Sequence, residues 1–62
     1  METATVLYGA IKREYKARAE AYENLAAHPD REKDYALHTK VLADLIRDYK
    51  AAGGKRDVEK YR

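Results

Sequence analysis

The chain has 62 residues and a net charge of +2, with six tyrosines, no phenylalanine, no tryptophan and no cysteine. Its aliphatic stock is five leucines, two isoleucines and three valines, which is thin for one small domain, so a lone monomer is marginal and self-association is expected. The absence of cysteine excludes a disulfide framework and a thiolate metal site, and no stretch reaches the roughly 20 apolar residues of a membrane span. A cytoplasmic protein without a membrane role is the expectation.

The first predicted element is a helix beginning near Thr3 or Thr5, either of which can act as an N-cap, and ending near Ala27. Its tyrosines recur every seven residues at Tyr8, Tyr15 and Tyr22, which is two helical turns and therefore one side of the helix. Ala4, Leu7, Ile11, Ala19, Leu25 and Ala26 extend that apolar arc, and Arg18 alone interrupts it. Lys12, Arg13 and Lys16 form the densest basic cluster on the helix, with Lys12 and Lys16 flanking the line from Tyr8 to Tyr15.

His28-Pro29-Asp30 breaks the pattern and reads as a turn followed by a helix start. The same tripeptide occurs in the J-domain loop that stimulates chaperones, but the segment before it, Arg18 to Ala27, carries Glu20 and Glu23 instead of a basic surface, and the chain has no room for that family's first helix. The second predicted helix starts at Asp30, or at Pro29 as its first residue, with Asp30, Glu32 and Asp34 near the positive end of its dipole. Tyr35, Val41, Leu42, Leu45, Ile46 and Tyr49 form its apolar arc, and Gly53-Gly54 stops it near Ala52. Beyond lies a short basic tail, residues 53–62, in which Val58 and Tyr61 are spaced for one further helical turn. Charge is balanced in both arms, four against four and then five against five, so the whole excess sits in the tail's Lys55, Arg56, Lys60 and Arg62 against Asp57 and Glu59.

Two stripes joined at a proline predict an all-α fold, an antiparallel helical hairpin with arms of about 4–27 and 30–52, dimerising to a four-helix bundle or a higher oligomer. Folding at Pro29 sets Tyr22 against Tyr35, Tyr15 against Leu42, Ile11 near Leu45 and Ile46, and Tyr8 near Tyr49. Of these, Ile11, Tyr15, Tyr22, Tyr35, Leu42, Leu45 and Tyr49, with Arg18 and His38, are the expected oligomer seam. Arg18 and His38, with Glu14 and Asp34 four residues before them, are expected to form a polar layer that sets register. The types and spacing of His28, Asp30, Asp34 and His38 fit no zinc or calcium motif, and nothing supplies a nucleophile or an oxyanion donor, so no metal, cofactor or catalysis is expected.

In size and layout the chain resembles the Rop family of plasmid proteins, helical hairpins that dimerise to a four-helix bundle and bind paired RNA; the likeness is architectural and carries no residue across. The functional expectation is a small, non-enzymatic, homo-oligomeric protein acting by stoichiometric protein–protein interaction as an inhibitor, adaptor or regulator, of the kind phages and plasmids encode. The alternative is nucleic-acid or nucleotide binding, with Lys12, Arg13, Lys16, Lys55 and Arg56 meeting phosphate beside Tyr8 and Tyr15.

Overall fold

The computed structural model describes residues 3–62. Two helices, α1 (Thr3–Leu25) and α2 (Glu32–Ala51), pack against each other as a helical hairpin, with 3-10 turns at Pro29–Arg31 and Glu59–Tyr61. Thr3 and Thr5 both lie within α1, so neither is the cap expected of it. α1 ends at Leu25, two residues before the expected end, where the amides of Ala27 and His28 both donate to the Asn24 carbonyl. His28 cannot continue the helix because Pro29 disfavours helical backbone in the residue before it, and it adopts φ −136° and ψ 73°. Pro29 then opens the 3-10 turn, where its missing N–H costs nothing, and α2 proper begins at Glu32.

The tyrosine stripe of α1 is not the line that faces α2 most directly, although Tyr8 is in ring contact with Tyr49 and Tyr22 with Tyr35. The line that does is one residue away on the helix: Leu7, Ile11, Glu14, Arg18, Ala21 and Leu25 are all buried or half-buried at alternating spacings of four and three. Tyr8, Tyr15 and Tyr22 stand along its edge. On α2 the expected residues do face inward, with Leu42, Ile46 and Tyr49 buried and Tyr35, His38 and Leu45 half-buried. The difference has a physical cause. Two short arms cannot fully bury a row of long phenols, each of whose hydroxyls needs a partner, so the smaller aliphatic line takes the seam.

A third layer comes from the tail. α2 closes in a Schellman motif: the Gly53 amide donates to the Lys50 carbonyl at 3.1 Å and the Gly54 amide to that of Tyr49 at 3.0 Å. Gly53 has φ +85°, the left-handed backbone that this closure requires. Gly54 lies against the ring of Tyr49, where a Cβ would come within 2.2 Å of ring carbons. The chain is thereby turned back along the hairpin, and Val58 joins Ile11, Leu42, Ile46 and Tyr49 as the fifth member of the buried core. The Arg56 amide donates to the Tyr49 hydroxyl at 3.0 Å, which satisfies the one polar atom that this buried ring carries. Tyr61 packs edge-on to Tyr15 (5.1 Å between centroids) and to Tyr8 (6.5 Å). Arg18 holds the end of the tail, donating to the backbone carbonyls of Tyr61 at 3.1 Å and Arg62 at 2.6 Å.

All five buried side chains lie toward the open end of the hairpin, and full burial of one such side chain is worth about 1.5–3 kcal/mol. The two glycines separate backbone cost from steric cost. Gly53→Ala has open space for its methyl group and should lose about 1 kcal/mol from φ alone. Gly54→Ala must displace the Tyr49 ring and should lose roughly 1–3 kcal/mol, with a changed near-ultraviolet tyrosine dichroism that Gly53→Ala does not show. Urea unfolding of the two variants checks the order.

Candidate functional site

Three surface features bring chemistry-bearing residues together. The first is an aromatic and cationic cluster at the open end. Tyr8 packs on Tyr49 at 6.0 Å, and two cations lie against its ring, Lys12 Nζ at 5.5 Å and the Arg56 guanidinium carbon at 5.0 Å from the centroid. Lys60 Nζ lies 5.4 Å from the ring of Tyr61. The hairpin places Lys12 on α1 and the returning tail places Arg56 and Lys60, so one residue of the helix cluster meets two of the tail around one pair of phenols. The Tyr61 hydroxyl, hydrogen-bonded to Tyr8, lowers the Tyr8 pKa below that of an ordinary phenol, and Arg56, Lys12 and Lys60 lower it further. Tyr61 moves the opposite way, chiefly through the same hydrogen bond. Lys55 lines the adjoining groove with Ala4, Thr5 and Gly53. Arg13 and Lys16, expected in the same patch, are exposed, and Arg13 approaches Gly9 rather than a tyrosine.

The second feature is a shallow groove of about 350 Å³ at the turn end, lined by Tyr15, Arg18, Ala19, Tyr22, Glu23 and Tyr35. Tyr22 and Tyr35 are in ring contact at 5.6 Å, as the folding at Pro29 predicts, yet Tyr22 remains 64 % exposed and Tyr15 40 %. Ala19 and Ala26, assigned to the apolar arc, are exposed as well. Of the expected oligomer-seam residues, Ile11, Leu42 and Tyr49 are buried within the single chain, whereas Tyr15 and Tyr22 are the ones open to a partner.

The third is polar. His38 Nδ1 pairs with Glu14 across the hairpin, and both side chains are partly exposed. The expected four-residue layer is only half present, because the Arg18 guanidinium turns to the tail carbonyls instead of to His38. The returning tail brings two backbone carbonyls within reach of its donors, and hydrogen bonds from a charged guanidinium are stronger than neutral ones. Asp34 and His38 border a shallow groove of about 220 Å³ with Ala17, Glu20, Ala21, Asn24 and Arg31. Among the described residues no three histidine or carboxylate side chains converge as metal ligands would.

No protein-family model, curated protein or solved structure matches this chain. No helix of the described residues is long and apolar enough to cross a membrane.

The tail's role in assembling the cationic cluster had a sequence signal only in the spacing of Val58 and Tyr61. Glu59, unassigned by sequence reasoning, pins the tail by accepting from Lys50 on α2 and from Arg62 at 2.8 Å. Hydrogen bonds from Arg62 and then Lys50 hold its pKa down to about 2 from an ordinary 4.5. A carboxylate whose folded pKa is depressed stabilises the fold fully above its unfolded pKa, and that contribution is lost as pH falls through the folded one. Stability should therefore fall between about pH 4.5 and pH 2, and Glu59→Gln should flatten that part of the profile of melting temperature against pH.

Proposed function

We propose that this protein is a non-enzymatic, stoichiometric binding module whose turn-end aromatic face is covered by another polypeptide in its working state. The observation that carries this reading is the exposure of the line Tyr15, Ala19, Tyr22 and Ala26, spaced four, three and four, in a chain whose core ends at the other side of the hairpin. That spacing is the pattern by which one helix packs on another. Aromatic rings of this type supply large contact area at little entropic cost, and they are enriched where binding energy concentrates. Completion to a four-helix bundle is one form such cover takes.

Site-specific crosslinking tests it. A photoactivatable residue at position 22, in cells expressing the protein, should give one discrete adduct that is lost on Ala19→Arg, whereas the same residue at exposed position 40 should give none. An absence of any adduct from position 22 overturns the reading, and the adduct's mass identifies what covers the face.

A second reading, nucleic-acid or nucleotide binding at the open end, is favoured by one specific observation: Lys12 and Arg56 meet at Tyr8, with Lys60 beside Tyr61. None of these three cations forms an ion pair within the described residues. Because two cations already lie against the Tyr8 ring, this reading rests on phosphate contact more than on base stacking. It requires an affinity for single-stranded oligonucleotide that falls steeply with salt and that Lys12→Ala and Arg56→Ala each reduce; a salt-independent affinity, or none, counts against it.

A further inference from the structure

We infer that the polypeptide covering the turn-end face is a second copy of this chain, with α1 packed antiparallel on α1 across a two-fold axis; the inference rests on the reading that this face is covered. The exposed line alternates large and small: Tyr15, Ala19, Tyr22, Ala26. Set antiparallel, Ala19 of one copy meets Tyr22 of the other, and Tyr15 meets Ala26. Every ring then lies against an alanine, so the two helices approach closely and the layers keep one combined volume.

The charges beside the line fit the same register. Lys16 follows Tyr15 and Glu23 follows Tyr22, both are exposed, and neither has an ion-pair partner within the described residues. In an antiparallel helix pair these flanking positions face each other, so Lys16 of each copy lies beside Glu23 of the other, once on each side of the axis. Parallel packing fits worse. It sets tyrosine on tyrosine and alanine on alanine, and its flanking pair would need Arg18, whose guanidinium is already committed to the Tyr61 and Arg62 carbonyls.

The tail leaves room for this arrangement. Tyr61 packs on Tyr8 and Tyr15, the Arg18 guanidinium lies 5.6 Å from the Tyr15 ring centroid, and the line from Ala19 onward stays open. With four layers the contact is short. A dimer that dissociates on dilution is the expected state, unlike an obligate one with a large apolar interface.

Charge exchange tests the register, with dimer affinity read by sedimentation equilibrium and the fold checked by far-ultraviolet dichroism. Lys16→Glu alone should weaken the dimer about tenfold, because two symmetric attractive pairs become repulsive, and Glu23→Lys alone should do the same. The double exchange should restore the affinity to within about threefold of the original. A dimer indifferent to all three variants overturns the antiparallel register. A wild-type monomer at every concentration overturns the second copy as partner; if position 22 then still crosslinks to a polypeptide of another mass, the covered-face reading survives, and if it crosslinks to nothing, that reading falls too.

Discussion

Tyr49 is the ring on which the two helices and the tail depend together. It is nearly fully buried, it packs on Tyr8 of α1, its face lies against Gly54, and its hydroxyl accepts from the Arg56 amide. Each of these contacts requires the others. Without a glycine at position 54 the chain could not pass so close, and without that pass Val58 and Tyr61 would not reach the hairpin. A buried phenol with no hydroxyl partner would cost more than an ordinary hydrogen bond returns, so the Arg56 amide is part of what makes burial of this ring favourable. The Schellman closure at Gly53 sets the direction of the returning chain.

The tail thus turns a two-layer hairpin into a three-element core at one end and leaves the other end with two layers, where Ala21, Leu25 and Tyr35 are only half-buried. A polarised structure follows. At the open end the aliphatic residues are buried, the phenols are in contact with one another and with cations, and Arg18 and Glu59 fasten the returning segment. At the turn end, Tyr22 touches Tyr35 but is largely exposed, next to exposed Ala19 and Ala26. A small chain cannot bury both ends of a long hairpin with ten branched aliphatic residues, and the uncovered end is where association would bring the largest gain.

Charge follows the same division. Balanced charges along both arms give no broad field, yet three-dimensional placement gathers Lys12, Arg56 and Lys60 at two rings, and leaves Lys16 and Glu23 without an ion-pair partner among the described residues. Cations on exposed rings contribute about 0.5–1 kcal/mol each, enough to orient a side chain and too little to fix a fold. Their placement is a consequence of the tail's path, not its cause.

The heptads and the single proline by themselves determined a helical hairpin, its turn at His28-Pro29, the end of α2 at the glycine pair, and the pairings of Tyr22 with Tyr35 and Tyr8 with Tyr49. These are local or nearly local matters: periodicity, a missing amide and a positive φ act within a few residues. Which of two adjacent lines on α1 faces α2 was not legible there, since Leu7, Ile11, Ala21 and Leu25 lie only about 100° from the tyrosines and both fall within one apolar arc. Nor was the partner of Arg18, because the carbonyls it binds are more than forty residues away. Only the tertiary structure decided those, when the tail arrived as a third surface: side-chain size chose the aliphatic line for the seam, and the returning tail brought the Tyr61 and Arg62 carbonyls within reach of the Arg18 guanidinium.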